Sequence, residues 1–415
     1  MRKKEKRDEL LLLTAVSGEI PADWIGEAAG SKDYGAALLT RLKKEGEIKL
    51  RSKDGIRGYL LRAKGKRYLL EMYGEDVERF LSGSGATNHV KSEPEKRLRL
   101  HRMSMVWVYF YRMGIAVFAS DKPVLFPGFY PSPCKGTGNH KGTLSRKGNG
   151  EDGLERNGVD GGERELEDRG GTVPVRVNKV SNRDEPGGNG RPGIGAYYGT
   201  VEWKLETDKE ISGSRACGIL VGNQAFMVYN TMDSLMKWTP KIERNLKSRM
   251  EIRFRRFGET KVCGAVMMGT HMDMLKRILD SDGGLKGNLY QVDEIYEHIY
   301  YVPLVKEATV QVRILCSTEG RERLRTFLCG VLSRIRENPF GLEAGIDQNG
   351  RKVYFCYLLD LWQLKRIRGQ CASQGGRVFC FTYQAKTVCE ILGERFEVEA
   401  IRPEKVYQYL GWKKS

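Results

Sequence analysis

Two ionisable side chains near the middle of the chain have a spacing that suits metal-dependent phosphodiester chemistry. Glu202 and Lys204 lie two residues apart, on either side of Trp203. On a β-strand this spacing places both side chains on the same face. A carboxylate there can hold Mg²⁺, and a lysine can stabilise the negative charge that develops at phosphorus. The pair therefore predicts catalytic residues that use Mg²⁺.

The E-x-K spacing is that of restriction-endonuclease-like nucleases, so a Mg²⁺-dependent nuclease or nickase is one candidate function. The further carboxylate that such a site needs would come from Asp160, Asp184 or a residue beyond them. Tripeptides of this kind often arise by chance, and we favour a solvated strand pair. None of the five histidines pairs with another at metal-ligand spacing, and no phosphate-binding GxxxxGK[ST] motif occurs. Whether the protein is an enzyme stays open, although we favour one that is not; we expect no metal site, and Mg²⁺ as a cofactor only under the nuclease alternative.

A group of small and basic residues predicts a nucleic-acid contact. At about 100° per residue, a helix from Ser31 to Glu45 has Leu38 and Leu42 on one face and small or basic residues on the other. Small residues permit close approach to the major groove, while Lys and Thr reach phosphates or base edges. Residues 41–70 contain 11 basic and 3 acidic residues, a net charge of +8. We predict that double-stranded DNA is contacted by Ala36, Ala37, Thr40, Arg41, Lys43, Lys44, Lys53 and Arg57.

The elements that would position this face lie within residues 1–80. Helices are predicted at Asp8–Val16, Pro21–Ala29, Ser31–Glu45 and Ala63–Tyr73, with two strands about the turn Asp54-Gly55. Three helices and a hairpin in this order resemble a winged helix-turn-helix domain. The resemblance implies a wing at 53–57 that lies against DNA phosphates or a minor groove. Since many winged helices bind proteins, a solvated lysine face is the competing interpretation.

The remaining chain divides into three parts. Residues 81–133 predict a helical connector, in which 91–113 either packs the first part against the last or forms a dimer helix. Residues 134–195 hold 16 glycines, 11 basic and 10 acidic residues, which predicts a flexible Gly-rich insert. Residues 196–415 alternate strands, including Val310–Cys316, with helices, which predicts an α/β domain with a mostly parallel sheet. Within it, 237–257 carries a net charge of +6 and could follow a nucleic-acid backbone; a solvated helix face followed by a strand is the interpretation we favour.

Composition sets the limits of these predictions. The chain has 415 residues, a net charge of +17 and 40% hydrophobic residues. Such a length predicts two or three folded units, and the charge favours a polyanionic partner. Nine cysteines without a CxxC pair indicate a reducing, cytoplasmic location. The most apolar segment, 105–119, is too short to span a bilayer and contains Arg112, so no membrane partner is expected.

The whole arrangement resembles the replication-relaxation type of winged-helix proteins, which belong to plasmids and conjugative elements of Gram-positive bacteria. The resemblance is carried by 31–34 leading into 38–43, by 53–61, and by 214–220 together with 228–231. It implies a DNA-binding protein of a mobile genetic element that acts in plasmid or transposon replication, in relaxation or in their regulation. Its further partners would be a second copy of the chain or replication and conjugation proteins.

Overall fold

The computed structural model describes residues 5–81, 93–126, 194–205, 207–257, 260–281, 289–336 and 342–413. All of these residues belong to one compact unit. The predicted Gly-rich insert lies outside the described residues except for 194 and 195, and so do Asp160 and Asp184.

The first part of the chain packs helices against a small antiparallel sheet. Its elements are α1 (Lys6–Ser17), β1 (Ile20–Pro21), α2 (Ile25–Ala29), α3 (Lys32–Lys44), β2 (Ile48–Lys53), β3 (Ile56–Leu61), α4 (Ala63–Tyr73) and α5 (Glu75–Glu78). The strand order is β1-β3-β2. The predicted first, third and fourth helices and the hairpin are confirmed, and the Ser31 hydroxyl accepts from the Tyr34 N–H at the start of α3.

The second predicted helix begins later than expected. Pro21 does not begin a helix; it lies in β1 opposite Gly58, and a short 3₁₀ turn over 22–24 leads into α2. Proline is tolerated there because β1 is an edge strand, where a missing N–H breaks no ladder.

Helix α6 (Pro94–Arg112) joins the first part of the chain to the rest. One hydrophobic cluster runs from Leu11 of α1 through Trp107 and Phe110 of α6 to Val228 and Val266. The Tyr109 hydroxyl donates to the Pro303 carbonyl at 3.1 Å. Of the two interpretations of 91–113, α6 thus fits the one in which it packs the first part against the last.

A mixed five-stranded sheet follows. It comprises β4 (Ala196–Gly199), β5 (Gly218–Val221), β6 (Ala225–Asn230), β7 (Val262–Gly269) and β8 (Ile299–Pro303), in that order, with helices α7 (Thr200–Trp203), α8 (Pro240–Phe257) and α9 (Asp273–Leu279) between them. Strand β5 is antiparallel to the other four. Helix α8 continues to Phe257 and β7 follows it, so the predicted order of a helix and then a strand is confirmed.

Helices α10 (Thr309–Cys316) and α11 (Thr318–Cys329) lead to a second sheet of five strands. Its elements are β9 (Arg334–Ile335), β10 (Gly345–Ile346), β11 (Lys352–Phe355), α12 (Leu361–Gln370), β12 (Gly376–Phe381), α13 (Ala385–Leu392), β13 (Phe396–Ile401) and α14 (Pro403–Leu410). The strands again lie in chain order, with β10 antiparallel to the other four. The predicted single, mostly parallel sheet is therefore wrong: the fold is α/β, with two mixed sheets of the same connectivity.

Helix α10 corrects a second prediction, that of a strand at Val310–Cys316. Val312 and Leu315 belong to the cluster of the first sheet, whereas Val310 and Ile314 belong to that of the second. A helix between two cores buries apolar residues on opposite sides, so its β-branched residues imitate a buried strand. Within the described part of the chain, no helix is long and apolar enough to cross a membrane.

Candidate nucleic-acid interface

The eight side chains predicted to contact DNA are all exposed. Six lie on α3 and two on the β2–β3 hairpin: Ala36, Ala37, Thr40, Arg41, Lys43, Lys44, Lys53 and Arg57. Helix α3 buries Gly35, Leu38, Leu39 and Leu42 on its other side. The amphipathic division predicted for this helix is therefore confirmed, and it leaves the small and basic residues facing solvent.

Some of these polar side chains already form contacts within the protein, and others do not. The Thr40 hydroxyl donates to the Ala36 carbonyl at 3.0 Å, and Arg41 Nε donates to Glu45 Oε1 at 2.8 Å. Lys43 Nζ lies 5.5 Å from the centre of the Tyr59 ring. Among the described residues, no hydrogen bond or ion pair engages the side chains of Lys44, Lys53 and Arg57. These three cations are available to an external anion.

Two of these cations, Lys53 and Arg57, lie beside the tip of the β2–β3 hairpin. Asp54 and Gly55 have φ angles of 55° and 71°, and Lys53 pairs with Ile56. Positive φ at both central residues of a two-residue turn is the type I′ geometry, which matches the twist of the flanking strands. The predicted Asp-Gly turn is confirmed, and it leaves Lys53 and Arg57 exposed beside the tip.

A buried ionic group anchors the hairpin to α6. Arg97 donates to the carbonyls of Lys53 and Arg51 at 3.0 and 3.4 Å and pairs with Glu19, which also contacts His101 Nε2 at 3.0 Å. Burial alone would raise the pKa of Glu19, but hydrogen bonds from His101 and Arg97 outweigh it and lower that pKa. The carboxylate therefore stays ionised, and the hairpin is fixed to the helix that enters the main core.

Glu202 occupies a different environment from the one predicted. It lies in α7, not on a strand, and its side chain is buried. Its Oε2 accepts from the Gly199 N–H at 2.9 Å, and its Oε1 lies 2.9 Å from Lys122 Nζ. Burial raises the pKa of Glu202, although Lys122 opposes the shift; burial also lowers the pKa of Lys122 to about 8. Glu202 and Lys122 therefore form a buried ion pair at the short helix α7.

Lys204 does not share a face with Glu202. Its Nζ donates to the carbonyls of Ile211 and Ser212 at 3.1 and 3.3 Å. The nearby Asp208 is not available either, because Arg253 Nη2 contacts both of its carboxylate oxygens, at 2.7 and 2.8 Å. Across the described residues, no group of three His, Cys, Asp or Glu side chains could hold a metal ion. The donor set around Glu202 does not fit Mg²⁺, since a lysine and a backbone N–H occupy the carboxylate.

Three partly exposed arginines that we did not predict as site residues lie at the junction of α6 with the first sheet. Arg99 and Arg102 come from α6, and Arg215 precedes β5. The basic residues at the start of α6 were visible in the sequence, but they indicated only a packing or dimer helix. What brings Arg215 to them is a contact across 115 residues, from Arg99 Nη2 to the Ser214 carbonyl at 2.9 Å.

No family model matches the chain, and neither the curated proteins nor the solved structures contain a match. The function is therefore inferred from the geometry of the chain itself.

Proposed function

We propose that the protein binds double-stranded DNA through a winged helix formed by residues 5–81. Helix α3 would be the recognition helix and the β2–β3 hairpin the wing. The observation that carries the proposal is the shared exposure of the eight small and basic side chains on these two elements, opposite a buried apolar face. The element order of helix, short strand, two helices and hairpin supports it as well.

The geometry suggests how the contacts divide. Ala36, Ala37 and Thr40 are small enough for α3 to approach base edges in the major groove, while Lys44 at its end reaches phosphate. Lys53 and Arg57 at the hairpin tip would neutralise phosphates of an adjacent groove. Phosphate contacts of this kind release counterions, so the affinity should fall steeply with salt.

A role in a mobile genetic element extends the same proposal. The resemblance to replication-relaxation proteins includes 31–34, 38–43 and 53–61, which lie on α3 and the hairpin. On this view the protein acts in plasmid or transposon replication, in relaxation or in their regulation. Partners beyond DNA, including a second copy of the chain, belong to this proposal too.

The alternative, a Mg²⁺-dependent nuclease that uses Glu202 and Lys204, has less support. The two side chains form separate hydrogen bonds, and Glu202 is buried against Lys122. A gel shift of duplex DNA by the full chain tests the leading proposal. A retarded complex that dissociates when salt is added supports it. Absence of a complex at low salt refutes it.

A further inference from the structure

Three arginines lie near the start of β5, and none of them forms an ion pair with a described carboxylate. Arg99 and Arg102 are three residues apart on α6 and therefore share a face. Arg99 Nη2 bonds to the Ser214 carbonyl, directly before Arg215, and the Arg102 carbonyl accepts from Asn230 Nδ2 at 2.9 Å. The helix is thus fixed against the sheet on both sides of the cluster.

The guanidinium groups in this cluster are poorly satisfied. Arg102 Nε is buried and has no hydrogen-bond partner among the described residues. None of the described carboxylates lies within 4 Å of Arg99, Arg102 or Arg215. Buried cations normally pair with anions, because an unpaired charge in a low-dielectric environment is costly.

The carboxylates of Glu243 and Asp233 attract Arg99 and Arg102, respectively, but neither forms an ion pair with them. Burial, followed by repulsion from Arg215, lowers the pKa values of Arg99 and Arg102. Glu243 lies beneath the cluster, but its oxygens accept from the Ser214 and Tyr229 hydroxyls and from the Arg215 N–H, at 2.8 to 2.9 Å. Burial raises the pKa of the Cys217 thiol to about 11, so the thiol is neutral at pH 7.

We propose that Arg99, Arg102 and Arg215 form a binding site for a phosphate group. A tetrahedral phosphate offers several anionic oxygens to planar guanidinium donors, and such charge-assisted contacts can be bidentate. It would give the guanidinium groups an anionic partner and relieve the repulsion among the three cations. All three side chains are partly exposed, so an anion can enter from solvent.

Two sources share this chemistry: free phosphate, including that of a nucleotide, and a backbone phosphate of DNA. The proposed wing lies near the arginine cluster, because Arg97 of α6 bonds to the wing backbone and Arg102 lies about 7.5 Å further along the α6 axis. Phosphate binding does not depend on the proposed winged-helix function, because a free-phosphate site would remain if DNA binding failed.

The first experiment titrates inorganic phosphate into the full chain by calorimetry, at constant ionic strength kept with chloride. Wild type should bind, and Arg215→Gln should weaken binding at least about tenfold, because one charge-assisted partner is lost. Among the described residues, the Arg215 side chain forms no hydrogen bond or ion pair that holds the fold, and its backbone N–H still reaches Glu243. Arg102→Gln gives an independent second test, and Lys405→Gln, an exposed lysine on α14, is the control.

The second experiment measures duplex DNA affinity for the same variants. Binding of free phosphate with unchanged DNA affinity identifies a free-phosphate site. Loss of DNA affinity in Arg215→Gln, with the salt slope reduced by about one, identifies a backbone phosphate. If wild type, Arg215→Gln and Lys405→Gln agree in both experiments, the proposal is wrong.

Discussion

Arg97 and Glu19 form an ion pair that is sealed between α6 and the small N-terminal sheet. Their side chains are 0% and 1% exposed, and Arg97 Nε lies 3.2 Å from Glu19 Oε2. Gly58 of β3 is adjacent, and a Cβ at that position would clash with the Glu19 carboxylate and the His101 ring. Because Arg97 also holds two carbonyls of β2, the orientation of the hairpin depends on this pair.

Replacing Arg97 with Gln should leave the Glu19 carboxylate buried without its main partner. Breaking a buried pair in this way costs about 3–5 kcal/mol, measured as the free energy of unfolding in urea. Replacing both residues together, as Glu19→Leu with Arg97→Met, should cost less than the sum of the single changes. The exposed neighbour Lys96→Gln should change stability by less than about 0.5 kcal/mol. A loss for Arg97→Gln as small as that of Lys96→Gln would show that the pair does not anchor the hairpin.

Glu202 and Lys204 should respond differently to substitution because one is internal and the other is partly exposed. Lys122→Met leaves the Glu202 carboxylate buried and unpaired and should destabilise by about 3 kcal/mol or more. Lys204→Gln should cost about 1 kcal/mol or less, since its Nζ bonds only carbonyls near the surface. With supercoiled plasmid and Mg²⁺, we expect no nicking that depends on Glu202. Nicking by wild type that Glu202→Gln abolishes, with the fold intact, would instead establish the nuclease alternative.

Local patterns allowed much of the first part to be predicted. The bounds of α3, α4 and the hairpin follow from apolar spacing, the Ser31 cap and the Asp54-Gly55 turn, all of which act within a few residues. The exposure of the basic face followed from the same periodicity. These features need no information from distant parts of the chain.

The errors arise where distant residues decide the structure. Glu202 could not be assigned to an internal pair because Lys122 lies 80 residues earlier. Helix α10 imitated a strand because two separate cores cover its opposite sides. The antiparallel part of the second sheet could not be predicted because β9 and β10 have two residues each, too few to show an alternating pattern.

His298 gives the fold a pH-dependent contact between the two sheets. Its Nδ1 lies 2.7 Å from Asp360 Oδ2, and this hydrogen bond raises the pKa of His298 above its ordinary 6.5. Because its pKa is higher in the folded state, His298 holds its proton more tightly there than in the unfolded chain. The stabilisation is therefore complete below pH 6.5 and is lost as the pH rises through the pKa that His298 has in the folded state. Since His298 is about half exposed, we expect an effect below about 1 kcal/mol.

The His298 effect can be separated from other titrations with two variants. Asp360→Asn keeps an N-cap for α12, because an amide oxygen can also accept from the Trp362 N–H. The difference in unfolding free energy between wild type and Asp360→Asn should be larger at about pH 6 than at about pH 8.5. His298→Gln should show the same pattern. A difference that does not vary with pH in either variant would contradict the assignment.

Residues 1–81 alone should not unfold cooperatively. The apolar side of α1 packs on α6, and both belong to the cluster that continues into the first sheet. The fragment lacks α6, so Glu19 also loses Arg97 as its ion-pair partner. Circular dichroism during urea titration should show a broad, shallow transition for the fragment and a steep one for the full chain. Equally steep transitions would show that the first part is independent of α6.

The central claim, that α3 and the hairpin bind duplex DNA through phosphate contacts, is tested most directly by the salt dependence of binding. Fluorescence anisotropy would measure the affinity of the full chain for a labelled duplex from about 50 to 200 mM salt. Each lost phosphate contact makes the slope of log K against log salt shallower by about 0.9. The triple variant Lys44→Gln, Lys53→Gln, Arg57→Gln should therefore bind DNA more weakly, with a slope shallower by about 2–3. A control with the same charge change, Arg366→Gln, Lys386→Gln, Lys405→Gln on the exposed sides of α12 to α14, should keep the wild-type slope. Identical slopes and affinities for the two triple variants would contradict the claim.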